Sequence, residues 1–321
     1  MNGAHRVLVG FATALGLSVS LGALQVPAPA PAAPAGQGAA PAGTPGRQTG
    51  APPDAAGAPG ARRGGGFGRT PVMDTAPPEL PKDLKSGGVL IFSKTNGFRD
   101  DPSVKAGNAA VEAIAKKRGW PYYTTENAAI FNADQLKKFK LVVWNNTSGN
   151  THLDDQRAAY IKWTEDGGAF VGLHGAGGDP SYDWAWYPET LIGAQFTRHS
   201  SRQLGTVHFE DLKNPITKGL PENWVRTVAD EWYSFKENPR AKGAHIIATA
   251  DETSYNPGNT SMGSDHPLVW THCVGKGRVF FSAIGHPAES YTQEPLNLVL
   301  IENAMAWALG LSGGPSCPEK K

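Results

Sequence analysis

One stretch limits the folds open to this chain more than any other: Gly168-Ala169-Phe170-Val171-Gly172-Leu173-His174-Gly175-Ala176-Gly177-Gly178. Ala169 to Leu173 is apolar without alternation, which suits a strand covered on both faces. The glycines after it permit backbone angles that other residues resist, so the strand runs into a tight turn. Just before it, Thr151 to Asp166 carries helical spacing. A helix feeding a doubly covered strand is the pattern of a parallel sheet with helices on its faces. His174 then falls at the carboxyl end of a central strand, the edge where open α/β sheets bind ligands.

The same rhythm continues on both sides. Gly88 to Ser93 reads as a first strand, followed by the loop Lys94 to Arg99. Asp101 or Ser103 can cap a helix that runs to Arg118, with Gly119 as its stop. Trp120 to Thr124 and Lys140 to Trp144 read as strands around a short helix, Ala133 to Phe139. Thr151 with Asp154 resembles a capping box for the next helix. Beyond Asp179 the texture changes. Tyr182, Trp184, Trp186 and Tyr187 crowd one segment, either as core packing or as a stacking wall for a sugar ring. Gly205 to Asp211, Ala244 to Ala250, His266 to Cys273 and Arg278 to Ile284 read as later strands. Pro295 to Leu309 closes the fold as a helix with Leu296, Leu300, Ala304 and Trp307 on its buried face. The fold class is α/β: a mostly parallel sheet flanked by helices, with a few antiparallel late strands.

The ends break this pattern. In residues 1–30, Arg6 precedes the apolar run Val7 to Leu24, and Ala28-Pro29-Ala30 is a small-residue cleavage candidate. This reads as a signal peptide or, if uncleaved, an N-terminal anchor. Residues 31–80 are rich in Pro, Ala and Gly. Such a segment buries too little surface to offset its ordering entropy, so it reads as a disordered linker, with order beginning near Leu80. Residues 81–312 are left as the α/β domain and 313–321 as a polar tail. Lys and Arg number 30 against 29 Asp and Glu, so no charge excess calls for nucleic acid. The two cysteines, Cys273 and Cys317, can pair if the chain is exported, and the sequence leaves that pairing open.

Several polar residues should reach one edge of the sheet. Lys94 and Thr95, Asn145 and Asn146, His174 and His286 all follow strands directly. Parallel neighbours bring such ends together, about 5 Å apart per strand, where a small ligand fits. Lys94, Thr95, Asn145, Asn146 and His286 are therefore substrate-binding candidates. His199, Asp230 and Tyr233 join them from the less regular region that supplies loops over this edge. His174 and Glu231 are the candidate catalytic acid and base, because an imidazole and a carboxylate can exchange protons near neutral pH. Histidines beside a carboxylate can also hold a divalent metal, although no HExxH or comparably close spacing specifies one. The setting of His174 resembles a nucleophile elbow, yet no Ser or Cys stands there. Gly175 to Pro180 is not the dinucleotide fingerprint, and no Walker loop occurs, so no nucleotide cofactor is expected.

Six further segments carry a family likeness. They are Phe92-Ser93-Lys94-Thr95-Asn96-Gly97-Phe98-Arg99, Gly172-Leu173-His174-Gly175-Ala176, Gly193-Ala194-Gln195-Phe196 with His199, and Asp230-Glu231-Trp232-Tyr233-Ser234-Phe235. His266-Pro267-Leu268-Val269-Trp270 and Gly275-Lys276-Gly277-Arg278-Val279-Phe280 with Gly285-His286 complete the set. In this order they resemble the ThuA-like (trehalose utilisation) family, over roughly Gly88 to Gly310. The resemblance implies a class I glutamine amidotransferase-like, flavodoxin-like sheet in which His174 replaces the nucleophilic cysteine. Glutamine amidotransferase activity should then be absent. Members are associated with sugar utilisation, often alongside keto-sugar chemistry. The export segment and linker depart from the simplest members and count against a cytoplasmic trehalose role.

The expectation is an exported carbohydrate-active protein whose partner is a small sugar or glycoside. It is either an enzyme using His and carboxylate acid–base chemistry on a glycoside or keto-sugar, or a non-catalytic sugar-binding module on the same fold. No membrane contact is expected beyond the export segment. After signal-peptide cleavage the protein should be periplasmic or secreted. N-terminal sequencing of protein from its native host should find a start after the apolar run. Soluble cytoplasmic protein beginning at Met1 would overturn this address.

Overall fold

The computed structural model of the chain describes residues 70–314 and Cys317. The expected export segment, the linker as far as residue 69 and most of the tail lie outside the described residues. Among the described residues, no helix is long and apolar enough to cross a membrane.

The strand and helix alternation builds one half of the sheet. β1 (Gly88–Phe92) leads to α1 (Asp101–Arg118), β2 (Tyr122–Thr125), α2 (Ala133–Leu136), β3 (Phe139–Asn145), α3 (Asp154–Glu165) and β4 (Ala169–Leu173). β1 and β4 are buried at every residue, as unalternating apolar runs require. α1 buries Val104, Val111, Ile114 and Ala115, and Gly119 ends it in the left-handed conformation. Two helix starts differ from expectation. Asp100, not Asp101 or Ser103, caps α1 by accepting from the Ser103 backbone N–H. α3 starts after Leu153, whose N–H donates to the Gln156 side chain at 3.0 Å, so the Thr151–Asp154 box does not form.

The second half supplies β5 (Phe196–His199), β6 (Thr206–Phe209), β7 (Asn223–Val225), β8 (Tyr233–Phe235), β9 (His245–Asp251), β10 (Pro267–Val274) and β11 (Gly277–Ser282). α4 (Glu289–Thr292) and α5 (Pro295–Ala308) follow. Among the described residues, nine strands form one sheet in the order β2-β1-β3-β4-β11-β10-β9-β6-β7. β2, β1, β3, β4 and β11 run parallel, and pairing turns antiparallel from β10 onward. β5 and β8 form a separate antiparallel ribbon. α5 lies on β4 and β11 with Leu300, Ile301, Ala304 and Met305 buried.

Order begins earlier than the composition indicated. The linker was expected to extend to residue 80, yet polar side chains of the domain hold it from Val72. Asn96 accepts from the Val72 N–H at 3.1 Å and donates to its carbonyl at 3.0 Å. Asp74 accepts from the buried Lys94 ammonium at 2.7 Å and from the Ala128 N–H at 2.8 Å. Gln156 and Gln135 donate to the carbonyls of Asp74 and Pro78. The Pro-rich segment contributes backbone N–H and carbonyl groups and one carboxylate, which need no apolar surface to be held.

Cys273 on β10 and Cys317 form a disulfide across a sequence separation of 44 residues. In the chain-entropy account, closing a loop of this length constrains the unfolded state by a few kcal/mol. Unfolding by urea with and without reductant should show about 2–4 kcal/mol less stability in the reduced protein. Free thiols titrating in the unreduced, unfolded chain would contradict the bond.

Candidate active site

The parallel pairing of β4 with β11 sets the first histidine. Leu173 is level with Ser282, so both strands end together and their loops leave the same edge. His174, the first residue past β4, has a positive φ of 44°, a conformation that costs a non-glycine residue about 1–3 kcal/mol. Its ring is buried and Nδ1 donates to the Ala283 carbonyl at 2.7 Å, just past β11. A carbonyl only accepts, so the proton sits on Nδ1 and Nε2 carries the lone pair. Nε2 accepts from the Tyr233 hydroxyl at 2.7 Å. Burial lowers the His174 pKa to about 4, so the ring is neutral.

His286 is aimed by a turn and a carboxylate. Gly285 has φ 124°, and a Cβ there would meet the Tyr291 hydroxyl oxygen at 2.6 Å, so only glycine turns the chain at this point. Asp230 then holds the turn through four donors. Its Oδ2 accepts from the Gly285 N–H and from Arg226, and its Oδ1 from the N–H groups of His286 and Glu231, all at 2.9 Å. Arg226, itself buried, also pairs with Glu294 at 2.5 Å and donates to Ser290. Burial would push Asp230 up, but Arg226 and the N–H groups of Gly285 and His286 outweigh it and hold the carboxyl below its usual range.

Glu231 follows Asp230 and faces both histidines. Its Oε2 lies 3.2 Å from His286 Nδ1 and 3.7 Å from His174 Nε2, while His174 Nε2 and His286 Nδ1 are 3.3 Å apart. His199 Nδ1 donates to the Ser200 carbonyl and lies 3.6 Å from Glu231 Oε1. Burial opposes the charge on Glu231, but the His286 bond and the surrounding histidines lower its pKa. The converse holds for His286, which burial would lower and which Glu231, Asp230 and Asp100 raise. His286 Nε2 points back to Asp100 Oδ2 at 3.6 Å.

These groups line a cleft of about 430 Å³, a size that suits a small-molecule ligand. Strand ends contribute Phe98 after β1, Asn146 and Ser148 after β3, His174 and Gly178 after β4, and His286 after β11. The β5–β8 ribbon adds Phe196, His199 and Tyr233, with Glu231 just ahead of it. The structure thus gathers His174, Glu231, Asn146, His199, Tyr233 and His286 at one place. It does not bring four other candidates to the cleft. Lys94 turns to Asp74, and Thr95 accepts from Arg99. The Asn145 side chain ties the Val104 carbonyl and Asn108. Asp230 has its acceptor capacity filled by the four donors and lies behind the wall.

The aromatic segment also resolves. Tyr187 stacks on Trp144 and on Trp184, and Tyr182 and Tyr187 donate to the Ala176 carbonyl, so the segment packs beneath the turn instead of forming a sugar wall. The cleft's aromatic faces are Phe196 and Phe98, the latter 63% exposed and stacked near His286. Sequence reasoning missed Phe98, Asp100, Asp179 and Phe196. Phe98 and Phe196 stand inside the segments that carry the family likeness, and that position was the available signal.

A model of the ThuA family, described as trehalose utilisation, matches residues 88–308. Among solved structures, a ThuA-like protein from Bacteroides uniformis ATCC 8492 is similar at TM-score 0.60 and 23% identity, covering 73% of this chain and 95% of that one. A ThuA-like protein from Parabacteroides merdae ATCC 43184 is similar at TM-score 0.55 and 18% identity, covering 73% and 94%. At these identities the likeness shows the fold. No curated protein matches.

Because Asp230 joins Arg226 to the turn that carries His286, its removal should be severe. Asp230→Ala should cost about 3–5 kcal/mol in urea unfolding, the range for breaking a buried ion pair. A loss below about 1 kcal/mol, the worth of an ordinary exposed pair, would contradict this role.

Proposed function

From the premise that this chain belongs to the trehalose-utilisation (ThuA) family, we propose that it is an exported enzyme acting on a glycoside or keto-sugar. Acid–base chemistry at His174 and Glu231 would carry the reaction. The observation behind this reading is the facing pair: a neutral imidazole whose Nε2 lone pair accepts from Tyr233, 3.7 Å from an ionised carboxylate, in a cleft sized for a sugar. A ketone acidifies the adjacent C–H, so a base set beside that carbon can drive elimination or isomerisation without a covalent intermediate. No Ser or Cys stands at the turn after β4, which fits a route without a nucleophile. Phe98 and Phe196 offer apolar faces of the kind sugar rings stack on, and Asn146 and Ser148 offer polar groups for hydroxyls. The Cys273–Cys317 disulfide supports export, since such bonds persist in oxidising compartments.

The test is turnover across a panel of glycosides and their keto derivatives. His174→Ala and Glu231→Gln should each lower the rate at least about 100-fold, the lower end for general acid–base catalysis, with circular dichroism unchanged. Binding without product across the panel would replace the enzyme by a sugar-binding module.

A further inference from the structure

Three potential ligand atoms in the cleft converge on one point. His174 Nε2, His286 Nδ1 and Glu231 Oε2 form a triangle with sides of 3.3, 3.2 and 3.7 Å. Two of its corners are ring nitrogens that face each other. Around a tetrahedral ion with bonds of about 2.0–2.2 Å, neighbouring donors stand about 3.3–3.6 Å apart. The triangle matches one face of that tetrahedron. Among the described residues, this is the one group of three such side chains whose ligand atoms all lie within 4.8 Å of one another.

The rings are held from behind as metal-binding imidazoles are. His174 donates Nδ1–H to the Ala283 carbonyl, which leaves Nε2 free to bind. For His286 the binding nitrogen is Nδ1, so its proton moves to Nε2, which faces Asp100 Oδ2 at 3.6 Å. Asp230 fixes the backbone of both Glu231 and His286. The hydrogen bond given up is the one from the Tyr233 hydroxyl to His174 Nε2. Two imidazoles and one carboxylate suit zinc and its first-row divalent neighbours better than calcium or magnesium, which prefer all-oxygen sites.

The geometry points to a divalent transition-metal site formed by His174, Glu231 and His286, with its remaining position open to the cleft. It deepens the acid–base reading, on which it rests for the substrate class alone. An ion held there would take His174 Nε2 as a ligand and would supply Lewis-acid chemistry to the cleft. Glu231 would keep Oε1, beside His199, as a base.

Calorimetric titration of chelator-stripped full-length protein with Zn²⁺ tests the site. One ion should bind per chain. Glu231→Gln and His286→Ala should each weaken binding at least about 100-fold, while His208→Ala, on β6 beside Asn223, should leave it unchanged. Co²⁺ in place of Zn²⁺ should give the visible absorption of a four- or five-coordinate centre, and Glu231→Gln should abolish it. Folded protein that takes up no Zn²⁺ at one per chain would overturn the site, as would binding that loses less than about tenfold in both variants. The readout is binding, so failure of the sugar panel does not imitate failure here. Full turnover of a keto-glycoside by stripped protein would remove the ion from the reaction and leave the acid–base reading in place.

Discussion

The cleft depends first on the parallel pairing of β4 with β11. Because Leu173 is level with Ser282, the residues just past both strands share one edge, and the His174 ring can reach the Ala283 carbonyl. A slip of one residue would turn the side chains of β11 to the opposite faces and carry that carbonyl away. β11 is also the last parallel strand, since β10 beside it runs the other way. The sheet therefore changes direction immediately beside the cleft. Beyond that point, strand ends no longer supply the site, and the β5–β8 ribbon supplies it instead with Tyr233 and His199.

Geometry of this kind must be held against its own cost. His174 sits at positive φ, and Glu231, His286 and His174 crowd charge and lone pairs into a partly buried space. Asp230 answers both demands. It gathers the backbone of residues 231, 285 and 286 on one carboxylate and balances its charge on Arg226. Buried ion pairs often add little net stability, because desolvation cancels much of the attraction. The contribution of this one is positional: it sets Glu231 and His286 against each other through short, fully occupied hydrogen bonds.

What was legible in the sequence followed from local pattern. β1, β4 and β11 are apolar runs closed by polar or glycine-bearing turns, so their carboxyl ends, and with them His174 and His286, could be placed without a structure. The family likeness added the overall fold and drew attention to Glu231. Residues whose roles depend on distant partners were not legible. Lys94 follows β1 as a ligand-binding residue would, but Asp74, twenty positions earlier in a Pro-rich segment, takes its charge. Asp230 looks like one of two adjacent acids, and only the fold shows that four donors fill it. Trp184 and Tyr187 are as aromatic as any sugar wall, but Tyr187 is held beneath Ala176 by Trp144, which arrives from β3, and Trp184 stacks on Tyr187.

The early start of order has a mechanical side. Asn96, which clasps Val72, is two residues from Phe98 at the rim of the cleft, and it also ties the Asn150 carbonyl on the next loop. One side chain thus joins the N-terminal segment to the loops after β1 and after β3, whose residues Phe98 and Ser148 line the cleft. A residue that touches no ligand therefore sets how two walls of the opening stand.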